Sequence, residues 1–344
     1  MSKEKILITG ANGFLGSNLT KYLSKNPSYE VFAMVRPGGK VNFLYEFQKD
    51  PVTGENLFEL IEADLSDDQS VENAIKGMDT VIHLAGMVTD WGKWDQYYDL
   101  NVEGTNRVLR GASKGGVTKV IYLSSLTVHS MNGHNHSDES TPADMKNFPY
   151  GETKKLGEDL VYQWAKDAPE GSERQSAVVR PGWVIYGAYD KNTFVIILDA
   201  IKKGSFGVID GGKKLVSYVH AENLCYGIEQ LIKSHKIQDA YNVLDGNMTW
   251  KEWVKVWSDA LHVKAPKLSV PYWFMYPLVY LLEAVYKLFK SREAPILTLY
   301  RIRIMHKDLA FSNKRMKDEI GYEPPLSLEK TVDSTIDFYK KTKN

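Results

Sequence analysis

The chain has a single cysteine, Cys225, in 344 residues. An internal disulfide is therefore excluded, and a reducing compartment, the cytoplasm, is the expected setting. Charge of one sign is missing too: 43 Lys and Arg balance 43 Asp and Glu. No basic field gathers nucleic acid, so none is expected as a partner. The opening residues Met1-Ser2-Lys3-Glu4-Lys5 lead straight into an apolar run ending at glycine. They carry no apolar core with a cleavage site, so no signal peptide is expected. No internal repeat or low-complexity linker divides the chain. The one long apolar stretch, 270–289, is broken by Pro271, Pro277, Glu283 and Lys287. Those residues argue against an ordinary spanning helix of about 20 apolar residues.

What is present alternates. Short apolar runs at 5–9, 31–35, 57–61, 80–84, 119–123 and 177–180 read as buried strands. Helices are expected at 15–24, at 66–76 with Ser66 as N-cap, and at 101–111. This order predicts an α/β protein with a doubly wound parallel sheet. Beyond Arg180-Pro181-Gly182 the pattern loosens. A helix is expected at 221–233, and a strand near 240–244 that returns to the sheet. Thr249-Trp250-Lys251-Glu252 is a capping box opening a helix to Leu261. Residues 1–181 are therefore expected to form a dinucleotide-binding domain. Residues 182–344 are expected to form a smaller, mostly helical substrate lobe interleaved with it.

The sharpest local signals are two. Gly10, Asn12, Gly13, Phe14, Leu15 and Gly16 join the first strand to the first helix. Such a turn lets backbone N–H groups and a helix N-terminus approach a pyrophosphate, the Rossmann arrangement. Downstream, Tyr150 and Lys154 stand one helical turn apart on one face. An ammonium near the phenol favours its ionised form, giving a group that exchanges protons near neutral pH. A hydroxyl after the fifth strand faces the ligand crevice of such a sheet. By position alone Ser124 and Ser125 compete for it. At the end of the second strand Arg36 stands where an NAD site usually carries a carboxylate. It suits a 2′-phosphate, so NADP is favoured over NAD. Asp64, after the third strand, is placed either to meet the adenine end or to cap a helix.

Together these segments resemble the extended short-chain dehydrogenase/reductases, the NAD-dependent epimerase/dehydratase superfamily. The resemblance rests on Thr9-Gly10-Ala11-Asn12-Gly13-Phe14-Leu15-Gly16, Ala63-Asp64-Leu65, His83-Leu84-Ala85-Gly86, Asn101-Val102-Glu103-Gly104-Thr105, Ser124-Ser125, Tyr150 with Lys154, and Arg180-Pro181-Gly182. It implies that Ser125 supplies the catalytic hydroxyl and Tyr150 the general acid/base. Lys154 would bind nicotinamide-ribose hydroxyls and lower the tyrosine pKa. Asn101 would brace the active-site helix or a proton relay. Leu65, Leu84, Ala85, Gly86 and Pro181 would touch the cofactor. A homodimer is implied as well.

Thr89-Asp90-Trp91-Gly92-Lys93-Trp94, Tyr218-Val219-His220-Ala221-Glu222-Asn223 and the stretch 270–289 are similar to the 3β-hydroxysteroid dehydrogenase-like branch. The expected substrate is then a hydrophobic secondary alcohol or ketone, of the hydroxysteroid, sterol-carboxylate or 2-alkyl-3-oxoalkanoate type. The aromatic stretch either packs as a helical lobe, lines the pocket or touches a membrane surface. A nucleotide-sugar epimerase or dehydratase is the alternative, with Arg301 and Arg303 as the cations it would use. A non-catalytic dinucleotide sensor is the reading of another class. His83 is expected to pack or hydrogen-bond locally, and His220 to be structural or to line the pocket. His129, His134 and His136 are read as a loop, and no metal ligand set is expected.

Overall fold

The short apolar runs of the first 181 residues form strands, most of them buried on both faces, in a computed structural model that describes residues 2–190, 193–235, 237 and 239–343. The chain first passes through β1 (Glu4–Thr9), α1 (Phe14–Leu23), β2 (Tyr29–Val35), α2 (Asn42–Glu46), β3 (Glu59–Glu62), α3 (Asp68–Ile75) and β4 (Thr80–His83). It continues through α4 (Trp94–Tyr98), a π-helical turn over Asp99–Glu103, α5 (Gly104–Gly115), β5 (Lys119–Leu123), β6 (His134–Ser137), α6 (Pro149–Lys166) and β7 (Gln175–Pro181). Next come β8 (Val184–Tyr186), α7 (Phe194–Lys202), β9 (Val208–Ile209), β10 (Leu215–His220), α8 (Ala221–Lys233), β11 (Ala240–Val243) and β12 (Gly246–Thr249). The remainder is α9 (Trp250–Ala260), β13 (Ser269–Val270), α10 (Tyr272–Leu288), α11 (Leu299–His306), β14 (Leu309–Phe311), α12 (Lys314–Ile320) and α13 (Leu328–Lys343).

Seven strands form one sheet in the order β3-β2-β1-β4-β5-β7-β11, every pair parallel. Successive side chains serve opposite faces, as the pleat requires. In β1, Ile6 and Ile8 join the core beneath α1 and α8, while Leu7 joins the core beneath α3, α5 and α6. The chain leaves β1 toward β2 on one side and later adds β4 on the other. The carboxyl ends Thr9, His83, Leu123 and Pro181 therefore line one crevice at the switch point. The return of β11 beside β7 agrees with the strand expected near 240–244.

The rest of the chain is mostly helical, as expected, and carries short strands as well. A five-stranded mixed sheet of β12, β10, β14, β6 and β8 sits beside the first. It draws β6 from before residue 181 and β14 from the end of the chain, so the two parts interleave more deeply than expected. A third core of Tyr186, Phe194, Trp250, Trp253 and Trp257 packs α7 and α9 with α13. Smaller differences concern caps. The helix after β3 begins at Asp68, not 66, because Asp67 accepts from Gln69 N–H at 3.0 Å. Ser66 instead donates to Asp64 at 2.9 Å. The Thr249 capping box forms as expected, with Glu252 reaching back to Thr249 N–H at 2.8 Å.

Candidate active site

The glycine turn comes first. Gly10 has φ +69°, and a Cβ there would lie 2.9 Å from Ala85 Cα. A Cβ on Gly16 would stand 2.1 Å from the Gly10 carbonyl oxygen, so α1 can start this close to β1 only with glycine there. Gly13 is the N-cap of α1, and no side chain caps that helix. Its first turn carries no carboxylate. The cradle therefore fits an anionic pyrophosphate, with Phe14 and Leu15 supplying the first helical N–H groups. Gly16→Ala is expected to destabilise the fold by about 1–3 kcal/mol through overpacking and to weaken dinucleotide binding. Urea unfolding and cofactor titration of the variant check both.

Around the turn, Asn12 donates through Nδ2 to the Lys40 carbonyl at 3.1 Å, which ties the glycine turn to the loop after β2. Arg36 lies exposed in that loop. Asp64 accepts from Ser66 N–H, which with the Ser66 hydroxyl holds its carboxyl below the usual range; Arg36 and Arg107 add to this. Its structural task is thus the turn before α3. The Leu65 carbonyl accepts from Arg107 at 3.3 Å. Ala85 N–H donates to Thr9 Oγ1 at 3.2 Å, which fixes Leu84, Ala85 and Gly86 across the crevice.

Helix α6 approaches the sheet closely. A Cβ on Gly151 would lie 2.2 Å from the Thr127 carbonyl oxygen, and one on Gly157 2.3 Å from Tyr122 Oη. That approach brings Tyr150 and Lys154 onto the end of β5. Ser125, whose Oγ accepts from Thr127 N–H at 3.2 Å, neighbours the Tyr150 phenol. Burial pushes the Tyr150 pKa up to about 12, and the Ser125 hydroxyl acts the other way. Lys154 is buried, donates to the Leu123 carbonyl at 2.8 Å, and sits 4.7 Å from the centre of the Tyr122 ring. Burial lowers its pKa to about 8, against the pull of Glu158. The expectation that Lys154 lowers the phenol's pKa is therefore corrected. The ammonium engages Leu123, and desolvation governs the phenol.

The two serines part company. Ser124 is buried and donates to Glu158 at 2.6 Å. Glu158 also receives Arg180, from Nε at 2.8 Å and from an η nitrogen at 2.6 Å. Ser124 is thus held in a buried ion-pair network, whereas Ser125 is only half-buried and meets Tyr150. Asn101 lies in the π-helical turn before α5. It donates to Thr153 Oγ1 at 3.1 Å and accepts from Met87 N–H at 2.7 Å, so it fastens α6 to the loop after β4. Pro181 ends β7, paired with Val243.

The histidines hold structure. His83 bonds Thr9 Oγ1 at 2.7 Å and Thr105 Oγ1 at 3.1 Å, and burial lowers its pKa to about 3. His220 caps α8 by accepting from Glu222 N–H. His129 bonds the Pro142 carbonyl, His134 bonds Ser130 and Ser137, and His136 bonds Asn135.

Sequence reasoning passed over several residues beside Tyr150. Phe148 stacks on Tyr300 with ring centres 4.6 Å apart, and lies 6.1 Å from the Tyr150 ring. Trp183 Nε1 donates to Tyr300 Oη at 3.1 Å. Nothing in the local sequence marks Tyr300, which reaches the site from a helix 150 residues away. Glu158 could have been found, since it follows Lys154 by one turn on the same helix face.

A dinucleotide cradle, a Ser-Tyr-Lys group and a parallel sheet with its crevice at a switch point define an extended short-chain dehydrogenase/reductase. Specifically, the chain belongs to the NAD dependent epimerase/dehydratase family, whose pattern matches residues 6–243. It is an enzyme class that acts on CH–OH groups. Similar relatives fall on both sides of the substrate question. The chain is 26% identical over 363 residues to 3beta-hydroxysteroid-dehydrogenase/decarboxylase isoform 1 of Arabidopsis thaliana, covering 98% of this chain and 80% of that protein. It is also 26% identical over 347 residues to an N-acetyl-alpha-D-glucosaminyl-diphospho-ditrans,octacis-undecaprenol 4-epimerase of Escherichia coli O157:H7, covering 97% and 95%. Among solved structures, UDP-glucuronic acid 4-epimerase from Bacillus cereus, in complex with NAD, matches with TM-score 0.77 at 18% identity over 99% of this chain and 100% of that one.

Proposed function

We propose that this protein interconverts a hydrophobic secondary alcohol and its ketone with a nicotinamide dinucleotide. The observation that carries this reading is the aromatic cluster at Tyr150: Phe148 lies against the Tyr150 ring and stacks on Tyr300, which Trp183 bonds in turn. A nucleotide-sugar substrate needs cations for its diphosphate. Arg301, one of the two named candidates, is already bound to Asp90 by two nitrogens at 2.9 Å each, and also donates to the Ile296 carbonyl at 2.8 Å. Arg180 is consumed by Glu158. The other candidate, Arg303, stacks over Tyr276 with its guanidinium 6.0 Å from the ring centre.

Bound in the cradle, the dinucleotide supplies or accepts the hydride. The chain's own residues do the rest. Ser125 and Tyr150 hydrogen-bond the substrate oxygen and polarise it. Tyr150, kept protonated at neutral pH by burial, gives its proton to the developing alkoxide in reduction and takes it back in oxidation. Lys154 holds a positive charge at the nicotinamide-ribose position and is braced by Leu123. Asn101 is a positioning residue for α6. Where the substrate carries a carboxylate beta to the new ketone, loss of carbon dioxide needs no further acid or base.

The cofactor side supports NADP over NAD. The loop after β2 offers Arg36 and Lys40, both exposed, and no carboxylate. Arg36→Ala is expected to lower the ratio of kcat/KM with NADPH to that with NADH by about 10- to 100-fold, the loss of one charge-assisted hydrogen bond. An unchanged ratio removes Arg36 from cofactor selection. The substrate class is tested by following nicotinamide oxidation over a panel of hydrophobic ketones beside nucleotide sugars. Turnover confined to the sugars overturns the proposal.

A further inference from the structure

Helix α10 has its amphipathicity inverted. Its inward face carries Tyr272, Tyr276, Val279, Glu283 and Tyr286, all buried or half-buried. Glu283, the helix's one carboxylate, turns inward to accept from Leu299 N–H at 2.6 Å and from Lys287 at 3.0 Å. The outward face is apolar at helical spacing: Trp273, Pro277, Leu281, Ala284 and Leu288 are exposed, with Phe274, Leu278 and Val285 beside them. Trp273 is 75% exposed, Leu288 77% and Phe289 78%, values far outside the core. The stripe runs about 22 Å along the helix axis. Scattered exposed apolar residues are ordinary, but a continuous stripe is a docking surface.

Charge decides what docks there. Exposed cations stand at both ends: Lys264 and Lys267 before the helix, Lys290 and Arg292 after it. From 261 to 292 the only carboxylate is the inward-facing Glu283, and Glu293 is the next. A second copy of the chain fits poorly, because pairing two stripes about a two-fold axis sets cations against cations in either direction. An anionic bilayer surface fits both features. The apolar stripe enters the acyl boundary while the cations meet the headgroups. The helix lies on such a surface and does not cross it. Among the described residues no helix is long and apolar enough to span a membrane.

We infer that α10 is an interfacial helix that seats the enzyme on anionic lipid. Its inner face packs on α11 through Val279 and Ile302, and α11 carries Tyr300 to the reacting site. Resting on the proposed function, this puts the lipid surface one helix layer from the aromatic cluster, a short route for a greasy substrate.

The experiment is co-sedimentation with phosphatidylcholine vesicles, with and without one quarter phosphatidylglycerol, at low and high salt. Wild type is expected to pellet with the anionic vesicles and to release at high salt. Neutralising Lys264, Lys267, Lys290 and Arg292 to Gln should weaken binding about fivefold per cation. Trp273→Ser/Leu281→Ser/Leu288→Ser should abolish it. These residues are exposed, so turnover of a water-soluble ketone should be unchanged in both variants and shows that they fold. No pelleting, or pelleting equal in the triple variant, overturns the inference. So does equal binding to neutral vesicles, or a dimer that the triple variant disrupts without any vesicle binding. Vesicle binding needs no turnover, so its failure is distinct from failure of the oxidoreductase reading.

Discussion

Tyr150→Phe is expected to lower kcat for ketone reduction by about 10²- to 10⁴-fold, the usual worth of a positioned general acid. Cofactor affinity should stay near wild type, because the phenol oxygen is not part of the pyrophosphate cradle formed by Gly10, Gly13 and Gly16. A loss in kcat with cofactor binding retained separates chemistry from folding. The pH profile adds a second reading. Burial holds Tyr150 protonated up to about 12, whereas Lys154 keeps its charge only below about 8. As pH rises, Lys154 therefore discharges first. The profile of kcat/KM for reduction, which reports free-enzyme groups, should fall above about pH 8, with no limb from tyrosine until far higher. A variant Tyr150→Phe that turns over ketones at the wild-type rate defeats the assignment.

The central sheet was legible because its strands, apart from the edge strand β3, are largely buried on both faces and so appear as apolar runs. Lys119–Leu123 and Ala240–Val243 fall where the sequence places them. So do α8 and the capped start of α9, where local chemistry fixes the boundary. The second sheet was hidden for two physical reasons. Its strands are three to six residues long, and β6 reads His-Asn-His-Ser, with no apolar alternation at all. Its pairing of β6 with β14 joins residues more than 170 positions apart, which no local window contains. The site divides in the same way. Tyr150 and Lys154 lie on one helix and show as a spacing. The choice between Ser124 and Ser125 depends on Glu158, which engages only the first. The sign of the phenol's pKa shift depends on burial, which spacing does not report.

Arg180→Met is expected to cost about 3–5 kcal/mol of stability, the penalty for leaving one member of a buried ion pair alone. Glu158 has no exposed side-chain surface and Arg180 almost none. With Arg180 gone, the buried carboxylate keeps the Ser124 hydroxyl at 2.6 Å and only the charge of Lys154, with no direct ion pair. The pair itself need not be stabilising, since two desolvated charges can cost as much as their attraction returns. Glu158→Leu/Arg180→Met should therefore recover most of the loss, and urea unfolding of the three proteins gives the comparison. A single variant as stable as wild type contradicts the burial argument. The pair also reaches the chemistry, because Glu158 is what holds the Lys154 pKa up against desolvation. Glu158→Gln should move the alkaline limb of kcat/KM to lower pH. A residue that served packing alone would lower stability and leave that limb in place.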